Sequence, residues 1–294
     1  MNGAQALLAT LLDARIDVCF ANPGTSEMHF VAALDTVPSM RGVLTLFEGV
    51  ASGAADGYAR MADRPAAVLL HLGPGLGNAI ANLHNARRAK VPVVVIVGDH
   101  ALTHKKYDAP LESDIDSLAG TVSGWVKRST SVADLATDTA AAIAAAQAGQ
   151  VATLILPADV SWSAGASSAS RGALSPVASV DPDAVDTAAR ALRSGEPVVL
   201  LTGGDANRIA GLEPAARVAS ATGTRWLCET FPTRLQRGAG IPTVERLGYF
   251  AEAAEAQLAG ARHLILAGAA SPVSFFAYPG RPSDLVPEGC QVHH

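Results

Sequence analysis

The sequence predicts an α/β protein: a parallel sheet with helices on both faces, followed by a second α/β unit. Short apolar runs rich in Val, Ile and Leu recur at residues 16–20, 42–47, 66–72, 91–97 and 151–156, with helical patterns between them. These runs are nearly continuous in their apolar character, as strands buried on both faces of a parallel sheet are. Of 294 residues, 49% are hydrophobic and 17% charged, so the chain can bury a core large enough for about two domains.

The elements follow in order. Leu7, Leu8, Leu11 and Leu12 form one apolar face of a helix over residues 5–14. After the first strand, Asn22-Pro23-Gly24 reads as a turn, with Ser26 as the N-cap of a helix running to residue 34. Further helices are expected over 49–62, 77–88 and 134–148, the last of them rich in Ala, the best helix former. From residue 162 to 180 the composition shifts to Ser, Ala, Gly and Pro without periodicity, as a linker does. The predicted division is a first domain at 1–165, a linker at 166–182 and a second domain at 183–294. In the second, strands are expected at 197–202, 224–228 and 263–267, and helices at 207–222 and 244–258. Cys290-Gln291-Val292-His293 reads as the start of one more strand, so the second domain is expected to be incomplete.

Composition narrows the function. The net charge of −5 is spread along the chain, leaving no basic footprint for nucleic acid. No apolar run reaches membrane-spanning length and the N-terminus lacks a signal-peptide pattern, so the expectation is a cytoplasmic chain without a membrane partner. Cys19, Cys228 and Cys290 are odd in number and far apart, which argues against a disulfide framework or a zinc cluster.

Three clusters carry the chemistry. Glu48 ends an apolar strand and opens a helix of small residues, Gly49 to Arg60. A carboxylate there serves equally as a helix-start charge. In apolar surroundings, however, a carboxyl group favours its neutral form and can donate a hydrogen bond. His71-Leu72-Gly73-Pro74-Gly75-Leu76-Gly77-Asn78 follows the next strand, and its glycines admit a flat ring or a phosphate close to the backbone. Asn22-Pro23-Gly24-Thr25-Ser26-Glu27 follows the first strand. Ser26, Glu48 and His71 thus stand at the carboxyl ends of three successive strands, where α/β sheets bind ligands.

With these residues in view, the sequence resembles the thiamine-diphosphate-dependent decarboxylases and carboligases of the acetolactate synthase, pyruvate decarboxylase and benzoylformate decarboxylase type. The resemblance rests on Asn22-Pro23-Gly24, on Glu48 with Ala55-Asp56-Gly57-Tyr58-Ala59-Arg60, on Gly73-Pro74-Gly75 with Gly77-Asn78, and on residues 154–160. It implies a pyrimidine-binding domain followed by a Rossmann-like central domain. It also implies that Glu48 hydrogen-bonds the aminopyrimidine of thiamine diphosphate and so promotes formation of the ylide, which attacks a 2-oxo acid. Decarboxylation would then end in aldehyde release or acyloin formation, a lyase or transferase activity. Pro23, Gly24, Gly73, Pro74, Gly75 and Asn78 would line the coenzyme. Ser26 would contact the substrate carboxylate and His71 would relay protons, as in the benzoylformate decarboxylase branch. Acetolactate synthases carry His-Glu-Gln where this chain has Phe47-Glu48-Gly49, which leaves both outcomes open.

The family's metal motif, Gly-Asp-Gly followed later by Asn, has no counterpart. The nearest strings are Gly98-Asp99-His100 and Gly203-Gly204-Asp205, and no metal ligand is assigned. Mg2+ is therefore expected through a diphosphate-binding domain that this chain lacks, within a homodimer or homotetramer. Thr202-Gly203-Gly204-Asp205 lies where acetolactate synthases bind FAD, but other relatives keep the domain without flavin, and the reading adopted is flavin-free. The stretch from Asp99 to Lys106 is read as an exposed polar loop. The alternatives are a non-catalytic fragment or subunit of such an enzyme, and an NAD-dependent oxidoreductase using Gly73 to Gly77 as a phosphate loop with Asp99 as the ribose acid.

Overall fold

The computed structural model describes residues 1–169, 179–277 and 279–294, and the chain divides into two units, Met1–Pro176 and Val177–His294. In the first unit the elements run α1 (Gly3–Asp13), β1 (Val18–Asn22), α2 (Met28–Asp35), β2 (Arg41–Leu44), α3 (Glu48–Ala62), β3 (Ala66–His71), α4 (Leu72–Arg88), β4 (Val93–Asp99), α5 (Ile115–Gly120), β5 (Trp125–Arg128), α6 (Leu135–Gln147), β6 (Val151–Pro157) and α7 (Ala158–Trp162). The strands form one parallel sheet in the order β2-β1-β3-β4-β6-β5.

Alternation along the central strands divides the core between the two faces of this sheet. Leu69, Val94, Ile96 and Leu154 point to one face, where Leu7, Leu8 and Leu11 of α1, Phe30 of α2 and Ile143 of α6 cover them. Val68, Leu70, Val95 and Val97 point to the other, against Ala51 and Ala55 of α3 and Leu76 and Leu83 of α4. Each fully buried Leu or Ile contributes about 2 kcal/mol. The small residues of α3 let it lie close to α4, which explains a helix of such low hydrophobicity in a buried position. At the start of α1, the side chains of Asn2 and Gln5 each accept the other's backbone N–H, closing a capping box.

Four local expectations need correction. Ser26 is not an N-cap: Thr25–Glu27 form a single tight turn, α2 begins at Met28, and the carboxylate of Glu27 accepts the Gly24 N–H. Helix α4 begins at Leu72, not at residue 77, so Gly73, Pro74 and Gly75 lie in its first turn. N–H groups there have no partner within the helix, so Pro74 forfeits nothing. The edge strand β5 was not anticipated, because four residues including Lys127 and Arg128 carry no apolar run. In the second unit, the helix expected from residue 244 begins only at Ala251, after a two-residue strand.

The second unit contains α8 (Pro182–Leu192), β7 (Val198–Thr202), α9 (Ile209–Thr222), β8 (Arg225–Cys228), β9 (Glu245–Arg246), α10 (Ala251–Leu258), β10 (His263–Ala267) and β11 (Gln291–His293). Its strands are parallel in the order β11-β10-β7-β8-β9. The strand expected from Cys290 is therefore present as β11. Most of the expected linker, residues 170–178, lies outside the described residues; beyond it, Asp181 caps α8 through the Asp183 N–H. Among the described residues no helix is long and apolar enough to cross a membrane.

Candidate active site

The sheet order sets β2, β1 and β3 side by side, so the three segments that follow them share one rim. Glu48 opens α3 and is buried, 7% exposed. Its Oε2 accepts a hydrogen bond from Asn78 Nδ2 at 2.9 Å, which ties the start of α3 to the first turns of α4. Its Oε1 faces Gly75: a Cβ on that glycine would stand 3.1 Å from this oxygen and 3.4 Å from the Cβ of His71. Gly75 thus forms a cradle between Glu48 and His71 that any side chain would fill.

His71 ends β3, and its Nδ1 lies 2.8 Å from Oε2 of Glu27. Glu27 is buried at 1% exposure, and the same Oε2 accepts the Gly24 N–H at 2.8 Å, while Oε1 has no partner among the described residues. Burial pushes the Glu27 carboxyl above the usual carboxylate range, with the Gly24 N–H and His71 opposing that shift. Glycines make the room: a Cβ on Gly24 would come within 2.4 Å of the His71 ring, and one on Gly98 within 1.6 Å of Glu27 Oε1. With Nδ1–H donated to Glu27, Nε2 of His71 is the nitrogen left to accept or pass a proton. Between His71 and Gly73, Leu72 takes a positive φ of 53°, a strained conformation for a leucine, at the junction of strand and helix.

Ser26 is half-buried in the tight turn that follows Gly24. It lines a cavity of about 430 Å³ together with Thr25, Leu72, His100, Ala101, Thr103, His104, Leu111, Ala158 and Trp162. Pro23 is half-buried next to Gly24, and Gly73 packs on Ser113, whose Oγ would lie 2.2 Å from an added Cβ.

These features accord with a match over residues 1–119 to the family described as "Thiamine pyrophosphate enzyme, N-terminal TPP binding domain". The matched stretch holds Gly24, Glu27, Glu48, His71, Gly75 and Asn78. A Mycobacterium tuberculosis protein provisionally named acetolactate synthase large subunit IlvX is 71% identical over all 294 residues, which cover 57% of its length. A Pseudomonas aeruginosa benzoylformate decarboxylase is 40% identical over 79 residues, 27% of this chain and 15% of that protein. In fold, a 4-hydroxybenzoylformate decarboxylase from Rhodococcus jostii superposes with a TM-score of 0.85 over 99% of this chain and 56% of its own, at 22% identity. The chain thus spans little more than half the length of its most extensive matches.

The site also contains groups that carry little sequence signal. The sequence alone places Glu27 in a turn, and only its burial against His71 shows its place. Its signal was faint: a carboxylate three residues beyond Gly24, where a capping acid is common. The stretch from Asp99 to Lys106 is not simply an exposed loop. Asp99 is fully buried and receives Lys105 Nζ at 3.1 Å and the Arg128 guanidinium, while Lys105 also meets Glu112, and Arg128 meets Asp116 at 2.5 Å. Lys105 is therefore already paired and not free for a substrate carboxylate. In the second unit the Gly204 N–H donates to Glu229 Oε1 at 2.8 Å. His293 pairs with His263 at 3.1 Å, and His263 with Glu196 at 2.8 Å. Among the described residues no group of three His, Cys, Asp or Glu side chains could hold a metal ion.

Proposed function

We propose that this chain supplies the aminopyrimidine half of a thiamine-diphosphate-dependent 2-oxo acid decarboxylase or carboligase resembling acetolactate synthase. The observation that carries the reading is the buried carboxyl of Glu48, held by Asn78 through one oxygen and facing the Gly75 cradle through the other. That cradle suits the edge of a flat heteroaromatic ring, with a carboxyl group placed to exchange a proton with a ring nitrogen. Thiamine diphosphate, when bound, supplies the electron sink for loss of carbon dioxide from a 2-oxo acid.

The chain's own residues then divide the work. Glu48 holds a proton between its oxygen and the aminopyrimidine, and Asn78 fixes the carboxyl in the required orientation. Gly75 brings the ring close, with Pro23, Gly24, Gly73 and Pro74 shaping the backbone around it. Glu27 holds His71 with Nε2 available to carry a proton to or from substrate. Ser26, which lines the cavity, binds the substrate carboxylate. In this reading the diphosphate and its Mg2+ are held outside the residues of this chain, in a cytoplasmic homodimer or homotetramer that contains no flavin.

Saturation-transfer NMR of the chain with thiamine diphosphate and Mg2+ tests the assignment without relying on turnover. The expected result is strong transfer to the aminopyrimidine protons, weaker transfer to the thiazolium, and loss of both in Glu48→Gln. Transfer confined to the thiazolium, or unchanged in Glu48→Gln, overturns it.

A further inference from the structure

Edge strand β11 is three residues long and joins the sheet only through β10. The Gln291 N–H donates to the Arg262 carbonyl at 2.9 Å, and half-buried Val292 packs against the core of the second unit. Register places Gln291 beside His263 and His293 two residues further along, so the two imidazoles share one face of the sheet. There Nε2 of His293 lies 3.1 Å from Nδ1 of His263, with the ring centroids 5.2 Å apart. The other nitrogen of His263, Nε2, lies 2.8 Å from a carboxylate oxygen of Glu196. A strand this short gains little from its backbone alone, so this side-chain tie weighs heavily in its attachment.

The tie tolerates one added proton and not two. With Glu196 ionised, His263 donates Nε2–H to it and accepts from His293 through Nδ1. One added proton makes His263 an imidazolium that donates at both nitrogens, to Glu196 and to His293 in the tautomer with a bare Nε2. That cation lies against a carboxylate, so the tie holds. A second proton leaves two N–H groups and two positive charges facing each other across 3.1 Å with no acceptor between them. His263 is only 8% exposed and cannot turn its ring to water, whereas His293 is half-buried on the edge strand and can leave. Burial and the neighbouring His263 push the His293 imidazole below the usual histidine range. Among the described residues no other side chain bonds either imidazole. Arg262, Cys290 and His294 flank the pair along the chain, and Asp183, Asp186 and Arg190 of α8, which packs on β11, are exposed. β7, on the other side of β10, carries no ionisable residue.

We propose that the His263–His293 pair is an acid-released latch: it fastens β11 to β10 while it carries at most one proton and lets β11 go when it takes up a second. Attachment is therefore complete above the ordinary histidine value of about 6.5 and is lost as pH falls through the lower value that His293 has in the folded chain. Release bares the N–H and C=O groups along that edge of β10, the row through which a sheet edge pairs with another extended chain. Acidity thus acts on one edge of the second unit, independently of the coenzyme reading of the first.

Amide hydrogen exchange of the 294-residue chain, resolved by NMR and corrected for the chemical rate at each pH, tests the latch. Protection of the Gln291 amide should fall at least about tenfold between about pH 7.5 and about pH 5, while that of Leu200 in β7 stays within about twofold. His293→Gln keeps a donor for His263 Nδ1 and cannot ionise, so that variant should hold its Gln291 protection within about twofold over the same range. Imidazole nitrogen shifts of the unsubstituted chain decide the matter even if that variant fails to fold. Two separated midpoints are expected for the pair, with the loss of protection following the lower one. A Gln291 amide indifferent to pH, an equal loss in a folded His293→Gln, or imidazoles that titrate together near the ordinary value would overturn the proposal.

Discussion

Glu27 and His71, 44 residues apart in sequence, meet through a 2.8 Å contact between Oε2 and Nδ1 that orients the imidazole at the end of β3. The carboxylate is shut away from water, and Gly24 and Gly98 give it and the imidazole space. This pair decides which ring nitrogen faces outward, and several measurable consequences depend on it or on its neighbours.

The raised Glu27 pKa sets a pH dependence. The folded state favours the protonated carboxyl, so its contribution to stability is complete below the unfolded carboxylate value of about 4.3 and is lost as pH rises through the folded value. Glu27→Gln keeps an acceptor for Gly24 and removes the ionisation. The melting temperature of the variant should therefore rise relative to that of the wild type as pH increases. A wild type that holds level with or gains on the variant as pH rises would contradict the burial argument.

Gly75→Ala separates binding from folding. Its Cβ would lie 3.1 Å from Glu48 Oε1 and 3.4 Å from the Cβ of His71, contacts that a small movement of the carboxyl relieves. The fold should survive with less than about 1 kcal/mol lost, because Ala is the better helix residue. Contact with the aminopyrimidine should fall about tenfold, since the methyl fills the ring's place. Calorimetry and ligand-observed NMR on one sample would show both effects.

Gly98→Ala should act mainly on stability. The new Cβ would stand 1.6 Å from Glu27 Oε1 and 2.5 Å from its Cδ, inside a strand that is buried throughout, so the buried Glu27 side chain has to move and give up its contacts with Gly24 and His71. Overpacking of this kind costs about 3 kcal/mol. Chemical denaturation would measure it, and a change near zero would show that Glu27 can leave its place freely.

Asp99→Ala removes the buried end of an ionic network that also accepts the His100 N–H at 2.8 Å. Lys105 keeps Glu112 and Arg128 keeps Asp116, so neither cation is left alone. A loss of about 2 kcal/mol is expected, less than for an isolated buried pair. Hydrogen exchange should quicken between residues 100 and 114, the segment this network fastens to β4 and β5.

Much of the fold was legible because its signals are local. The Val and Leu runs of β3, β4 and β6, and the single leucine face of α1, declare their periods within a few residues. The charged edge strand β5 did not, since its only argument for being a strand is its partner β6. The early start of α4 was hidden because Gly-Pro-Gly reads as a loop until the strand behind it fixes the direction of the chain.

The sequence by itself determined the alternating architecture, the placing of Glu48 and His71 at strand ends, and the string of glycines between them and Asn78. Those features depend on side-chain period and backbone freedom, which neighbouring residues set. Only the tertiary structure decided that Glu27 holds His71, that Asn78 holds Glu48, that Lys105 is tied to Asp99, and that Ser26 borders a wide uncharged cavity. The Glu27–His71 and Glu48–Asn78 pairs join residues from different strand ends and exist only once the sheet order has brought those ends together. Lys105 instead folds back on Asp99 at the end of one strand, where burial of that carboxylate decides the pairing.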